Sequence, residues 1–381
     1  MILVGEGGVG KTSIVKKLVY DRFDTNQKMT QGIVIEPWRI PVEKDSEKFD
    51  IRLNIWDFGG QGVYHATHQL FFTKRSIYLL VINARRGEQE SQLDYWLKLI
   101  ESFGEDAPII IVTNKIDIHP LELNENKLFR ANKNIAAIVY TSCKNGEGIQ
   151  DLYSAIHDTT TTLPHVHDDL FISWFRVKEN LEELKRKKKD YIAIDRYIEI
   201  CEEAGVIELR DQKTLLSFLH DLGIVLHFQD DKQLEDTQVL NPDWITAGIY
   251  TILSSPKLKE QEGVLELTWL DTILDPKTYP SWKHPYIINT MKKFELCLPL
   301  DLDEEKYLIP DLLPAKEPRY SWQYDDCISL SFVYQILPGS IMTRFIVRMM
   351  SQTSPKETLF WLNGALIEYE DNRALITADN L

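Results

Sequence analysis

Gly5-Glu6-Gly7-Gly8-Val9-Gly10-Lys11-Thr12 constrains this chain more than any other stretch. It matches G-x-x-x-x-G-K-[ST], with an apolar strand pattern before it (Met1–Val4) and a helical pattern after it (Lys11–Tyr20). Glycines let the backbone wrap a phosphate without interfering Cβ atoms, so successive N–H groups point inward. The N-terminus of the following helix adds the positive end of its dipole. Lys11 has the reach for β- and γ-phosphates, and the Thr12 hydroxyl is a ligand type for Mg²⁺. Gly5, Gly7, Gly8, Val9, Gly10, Lys11, Thr12 and Ser13 are therefore the candidate phosphate-binding residues.

Such a loop needs a strand–loop–helix unit, and the residues that follow supply more of them. β-Branched runs at Ile33–Ile40, Ile51–Trp56, Ile77–Ile82, Ile109–Thr113 and Ala137–Thr141 alternate with helical stretches at Glu88–Phe103 and Gly148–Thr160. That order predicts an α/β region with a mostly parallel sheet covered on both faces. The first strand is flush with the start of the chain, so the protein is expected to continue upstream. Thr159–Asp169 is polar and aperiodic and reads as a linker. Beyond it, helical patterns at Leu170–Lys189, Asp195–Ala204 and Lys213–Leu222 lead to Gly223 and two strand-like runs, Ile224–Phe228 and Gln238–Leu240. This order predicts a winged-helix-like part. Helices at Pro242–Leu253 and Pro285–Phe294 and strands at Glu295–Leu300 and Tyr307–Ile309 follow. A last section from Pro314 has a strand at Ile328–Gln335, a helix at Gly339–Met350, and strands near Thr358–Leu362, Ala365–Glu370 and Ala374–Thr377. The expected domains are 1–162, 168–313 and 314–381, the last truncated, with α/β followed by α+β architecture.

Guanine recognition is written further along. Thr113-Asn114-Lys115-Ile116-Asp117 leaves a strand, and an Asp carboxylate is an acceptor pair for the N1–H and 2-amino donors of guanine, which adenine lacks. Asn114 suits a bridge to the phosphate loop, and the Lys115 stem suits the ring face. Ser142-Cys143-Lys144 follows another strand and offers backbone N–H groups to guanine O6. Between these motifs lies Asp57-Phe58-Gly59-Gly60-Gln61. Asp57 falls at a strand end, as a carboxylate for Mg²⁺; the Gly60 N–H suits the γ-phosphate, and Gln61 the attacking water. Thr30 is the preferred second hydroxyl ligand of Mg²⁺, with Thr25 as the rival.

Together these residues resemble the Ras-like P-loop GTPases over about residues 1–160. Trp56–His68 (WDFGGQGVYHATH) is similar to the Roc domain of Roco proteins. Phe218–Phe228 (FLHDLGIVLHF) and Val239–Trp244 (VLNPDW) resemble the COR domain that follows Roc, a likeness spanning most of 168–381. The resemblance implies GTP and GDP as ligands with Mg²⁺, slow hydrolysis, signalling through communication between Roc and COR, and leucine-rich repeats upstream. It also implies homodimers through COR in the full-length protein, with the oligomeric state of this chain left open. In the family, dimers complete the site in trans, and on that ground Arg85, beside Arg86 after the strand Ile77–Ile82, is the candidate cationic finger. Gln61, Lys11 and Arg85 are thus the candidate catalytic residues. No kinase motif occurs in the chain.

Charge removes other functions. The formal net charge is −15, and residues 1–162 carry only −2 of it. The winged-helix-like stretch 191–241 has four Lys+Arg against eleven Asp+Glu. Nucleic-acid affinity rests largely on neutralising phosphates, so a DNA or RNA reader is disfavoured. No apolar run approaches the roughly 18 residues of a membrane span. Four scattered cysteines argue against disulfides and zinc and for a reducing, cytoplasmic setting. His65 and His68 read as packing or loop-positioning residues. His157, His165 and His167 lack the setting of a metal site, and Lys185–Lys189 reads as a solvated helix end. The alternative function is a GTP-binding scaffold with negligible turnover; retention of Gln61 stands against it.

Overall fold

The first unit runs β1 (Ile2–Val4), α1 (Lys11–Tyr20), β2 (Ile33–Lys44), β3 (Glu47–Phe58), β4 (Tyr78–Asn83), α2 (Leu93–Gly104), β5 (Ile109–Asn114), α3 (Glu125–Ala131), β6 (Ile135–Thr141) and α4 (Ile149–Thr161). These elements come from a computed structural model. It describes residues 1–27, 30, 32–44, 47–59, 71–85, 92–118, 123–167, 170–228, 231–300, 304–322, 327–333, 341–352, 358–369 and 372–378. Gly60, Gln61, His65, His68 and Arg86 lie outside these, as do the side chains of His165 and His167.

The six strands form one sheet in the order β2-β3-β1-β4-β5-β6. β1, β3, β4, β5 and β6 run parallel, and β2 pairs antiparallel with β3 over twelve residues. The central strands read as continuous apolar runs because helices cover both faces: Leu79, Leu80, Ile110 and Ile111 are fully buried. Their carboxyl ends, where Val4, Asn83, Asn114 and Thr141 stop, gather on one edge, as ligand-binding loops do in open α/β sheets.

β2 and β3 extend beyond the runs visible in sequence. Trp38, Ile40 and Val42 alternate inward, while Pro37 and Pro41 sit between them. The Gly59 N–H donates to Gly32 O (2.9 Å), so even-numbered residues of β2 face β3. Both prolines therefore occupy rungs on the open edge, where no ladder hydrogen bond is lost.

The same compact unit continues to residue 246. Helix α5 (Ile172–Arg186), β7 (Tyr191–Ala193), α6 (Ile194–Glu203), α7 (Leu209–Asp221) and β8 (Thr237–Val239) pack around Val177, Leu181, Tyr197, Leu215 and Leu219. β7 pairs antiparallel with β8, and Leu226 bridges Val239 from the other side. This is the winged-helix-like part. It differs in detail from the expected hairpin: Ile224–Phe228 contributes one bridge, and the second strand of the ladder is β7, a three-residue segment too short to register as a pattern.

Helix α8 (Pro242–Leu253) leads into the second unit, 247–381. It holds α9 (Pro256–Glu260), β9 (Val264–Glu266), α10 (Leu270–Ile273), α11 (His284–Lys293), β10 (Leu298–Pro299) and β11 (Lys306–Leu308), with sheet order β10-β11-β9. Helix α12 (Ile341–Gln352) and an antiparallel meander of β12 (Thr358–Trp361), β13 (Gly364–Tyr369) and β14 (Asn372–Thr377) complete it. The expected strand at Ile328–Gln335 is not formed over its described part, 328–333; Ile328 and Val333 are 94% and 85% exposed. Alternation gave that segment a strand period but no paired neighbour among the described residues. The fold class read from the sequence holds: a Ras-like α/β domain with a mostly parallel sheet, followed by mixed α and β structure.

Candidate functional site

Gly10 caps α1 with φ 103°, which only glycine adopts without strain, and Gly5 and Gly8 also have positive φ. Space is as restrictive as conformation. A Cβ on Gly5 would stand 2.1 Å from the Val81 carbonyl oxygen, and one on Gly10 would stand 2.4 Å from Asn114 Nδ2. The loop they shape closes on Lys11, whose Nζ donates to Gly5 O (2.6 Å) and Glu6 O (3.0 Å). Burial pushes the Lys11 ammonium down to about 8, against the pull of the Asp57 and Glu6 carboxylates.

Three side chains from separate elements meet beside it. Thr12 Oγ1 lies 2.7 Å from Thr30 Oγ1 and donates to Asp57 Oδ2 at 2.6 Å; Thr30 Oγ1 lies 3.4 Å from the same oxygen. Asp57 is 1% exposed, and its pKa is raised by burial and restrained by the Thr12 hydrogen bond and Lys11. Asp57 Oδ1 is buried with no hydrogen-bond partner among the described residues. A buried carboxylate oxygen without a partner is costly unless a cation or donor meets it. Two hydroxyls and a carboxylate are hard oxygen donors, the set Mg²⁺ takes with water and phosphate. The residues present fit that ion, and Thr30 rather than Thr25 joins the cluster.

At the other end, the loop after β5 is tied to the phosphate loop. Asn114 Nδ2 donates to Val9 O (2.9 Å) and Lys115 Nζ to Gly8 O (2.5 Å). Thr141 Oγ1 donates to Asn114 Oδ1 (3.3 Å), and the Cys143 thiol, pushed up to about 11 by burial, lies 3.7 Å from it. Ser142 Oγ donates to Asp117 Oδ1 (2.8 Å), and Lys144 Nζ approaches Asp117 Oδ2 at 4.0 Å. The Ser142 amide is taken by Glu147 O (2.9 Å), so within this triplet the hydroxyl of Ser142 serves by aiming Asp117.

A cavity of about 430 Å³ joins the two ends. Gly7, Gly8, Gly10, Lys11, Thr12, Ser13 and Thr30 line one end, and Asn114, Lys115, Asp117, Cys143 and Lys144 the other. Arg85 also lines it; its backbone N–H donates to Asn83 Oδ1 (3.1 Å), and the side chain is exposed. Phe23 and Ile118 are also in the wall, and neither stood out in the sequence. Phe23 carried one signal: it is an aromatic in an otherwise polar loop just after α1, and it remains 39% exposed. His157 pairs with Asp158 (3.1 Å), and no cluster of His, Cys, Asp or Glu suited to a metal occurs among the described residues. None of their helices is long and apolar enough to cross a membrane.

Family models match the chain in three consecutive stretches. They are Roc, "Ras of Complex, Roc, domain of DAPkinase", at 1–117; the COR-A domain, "C-terminal of Roc", at 172–313; and the COR-B domain, "C-terminal of Roc", at 325–381. The solved structure of Methanosarcina barkeri Roco2 RocCORdC bound to GDP is 42% identical, with a TM-score of 0.74 over 82% of this chain and 94% of that one. Probable serine/threonine-protein kinase pats1 of Dictyostelium discoideum is 28% identical over 100% of this chain and 13% of its own length. A Roc-COR-CHAT protease of Runella zeae is 28% identical over 97% of this chain and 41% of its own length. The chain thus spans less than half the length of these curated relatives. A phosphate loop, a Ras-like sheet order, a winged-helix-like part and the tandem of matches lead to one conclusion: this chain belongs to the Roco family, as a Roc domain followed by COR.

Proposed function

We propose that the chain binds GTP and GDP, hydrolyses GTP slowly to GDP and phosphate, and passes the nucleotide state from Roc to COR. The observation that carries this is the cavity with two matched ends: Lys11 and the Thr12–Thr30–Asp57 cluster at one, Asp117 held by Ser142 at the other. A base accepted by Asp117 through its N1–H and amino group is guanine. Gly7, Gly8, Val9 and Gly10 present amides to the β-phosphate, and Lys11 holds charge on the β- and γ-phosphates as water attacks in line. Mg²⁺, held by Thr12, Thr30 and Asp57, neutralises phosphate charge when bound. Gln61 orients the attacking water and Gly60 contacts the γ-phosphate. Arg85 stands at the cavity wall as the cation for the transition state, in this chain or across a dimer formed through COR in the longer protein. The domains of this reading are 1–162, 168–313 and 314–381. Buried Cys143, Cys201 and Cys297, none in a disulfide, support a reducing cytoplasmic setting.

Equilibrium binding of GTP, GDP and ATP, followed by single-turnover hydrolysis, tests the proposal. Guanine nucleotides bind and ATP does not. Hydrolysis proceeds in the wild type, falls at least tenfold in Gln61→Leu, and slows in Arg85→Ala at unchanged GTP affinity. Binding without measurable turnover in the wild type leaves the scaffold reading standing instead.

A further inference from the structure

The loop 21–32, between α1 and β2, supplies Phe23, Asp24, Thr25, Gln27 and Thr30 to the nucleotide cavity. Among its described residues only Gly32 is buried, and 21–26 are all exposed. Burial therefore does not hold this loop, and its place at the cavity depends on polar ties. One of them stays within the loop: the Asn26 amide donates to Asp24 Oδ1 (2.9 Å) and sets local shape only. Others leave it. At its start the Asp21 and Arg22 amides close onto Lys17 O (3.1 Å) and Lys16 O (3.2 Å). At its far end Thr30 Oγ1 meets Thr12 Oγ1, and Gly32 O accepts the Gly59 amide.

The middle of the loop is reached from α1. Lys16 Nζ donates to Gln27 Oε1, and Gln27 is half-buried where 21–26 are exposed. One turn further along the helix, Tyr20 Oη donates to Glu36 Oε2 (2.8 Å), tying the last turn of α1 to β2 beyond the loop. Lys16 and Tyr20 stand four residues apart, so both side chains lie on one helix face. Glu36 is itself fixed, because it faces Ile55 in the β2–β3 ladder. Lys11, Thr12 and Ser13, in the first turn of the same helix, line the phosphate end of the cavity. One helix, about 15 Å long, thus carries both the phosphate grip and a grip on the loop.

We propose that Lys16 and Tyr20 form a strap on α1 that holds the 21–32 loop across bound nucleotide: Lys16 is the positioning residue for Gln27, and Tyr20 the positioning residue for the base of the loop at Glu36. A strapped loop must open before nucleotide leaves, so the strap sets the rate of release rather than the rate of encounter. The Lys16 bond has an ammonium donor and the Tyr20 bond a carboxylate acceptor, and bonds of this kind are stronger than those between neutral groups. Neither Lys16 nor Tyr20 lines the cavity. The strap also needs no γ-phosphate, so it retains GDP as well as GTP. The inference rests on the guanine-nucleotide reading above.

The test follows displacement of a fluorescent GDP from the full chain. Lys16→Met keeps the aliphatic stem and loses the donor; release becomes about fivefold faster, and Lys16→Arg, which keeps a charged donor, recovers most of the loss. Tyr20→Phe removes only the hydroxyl and speeds release about threefold, whereas Glu36→Gln keeps an acceptor and changes it by less than about twofold. Gln27→Leu speeds release as Lys16→Met does, and the double variant is no faster than either single one, because the two side chains make one bond. Amide exchange quickens across 21–27 in Lys16→Met while α1 keeps its protection. Unchanged release in either Lys16→Met or Tyr20→Phe, effects of Lys16→Met and Gln27→Leu that multiply, or a loss of protection in α1 equal to that in the loop overturns the inference and leaves the functional reading intact. If Lys16→Met does not fold, Gln27→Leu decides: faster release with α1 protected supports the strap, and release at the wild-type rate overturns it. A wild type that binds no fluorescent GDP overturns the functional reading and the inference with it.

Discussion

At the scale of single residues, the site divides into groups whose chemistry is fixed by type and groups whose role depends on aim. Asp117 is of the second kind: its Oδ1 accepts from the Ser142 hydroxyl, which holds the carboxylate at the cavity wall, and under the proposed function it is this carboxylate that meets the guanine edge. Replacing one oxygen by an amide N–H puts a donor against a donor of guanine. Asp117→Asn is expected to lower GDP affinity by about 100-fold or more and to favour xanthosine diphosphate, whose 2-oxo group accepts; competition binding with both nucleotides checks this. The motif residues were legible because each needs a particular residue at a set spacing: glycines at 5 and 10 where no Cβ fits, lysine at 11, asparagine at 114. Phe23 was not legible as a site residue. It belongs to no spaced motif and reaches the site only through the fold.

Elements were legible where burial imposes a period and hidden where pairing decides. The parallel core strands announced themselves as apolar runs, whereas α3, seven residues long, buries only Leu128 and left no periodic trace. β2 and β3 proved longer than their apolar cores because an antiparallel ribbon gains ladder hydrogen bonds where its outer side chains are polar. Such an edge invites a further strand, and Pro37 and Pro41 on its open rungs remove the donors that would pair. Pro41→Thr restores one outward N–H next to exposed Arg39 and Glu43. Its expected effect is concentration-dependent self-association absent in the wild type, seen by light scattering, with nucleotide affinity unchanged because residue 41 does not line the nucleotide cavity.

On the scale of the whole molecule, the compact unit 1–246 does not stop where the linker pattern suggests, because the winged-helix-like part packs onto the Roc sheet. His220 lies in this region, on α7. Its Nδ1 accepts the His227 amide (3.2 Å), its ring stands 6.4 Å from that of Phe228, and Asp221 is the nearby carboxylate. Burial holds its pKa below 6.5, with the Asp221 carboxylate and the Val225 carbonyl opposing. The unfolded chain therefore binds the proton first as pH falls. Stability from a neutral His220 is fully present above 6.5 and is lost as pH drops through the lower folded value. Asn at this position keeps an acceptor for the His227 amide and cannot charge. Thermal melts between pH 7.5 and 5.5 are thus expected to fall more steeply for the wild type than for His220→Asn below pH 6.5, and to run parallel above it. Curves parallel throughout would show that His220 carries none of the acid sensitivity. Because this packing reaches Trp56, beside Asp57, the same loosening at low pH is expected to appear as faster GDP release in the wild type, measured by displacement of a fluorescent GDP, and to be blunted in His220→Asn.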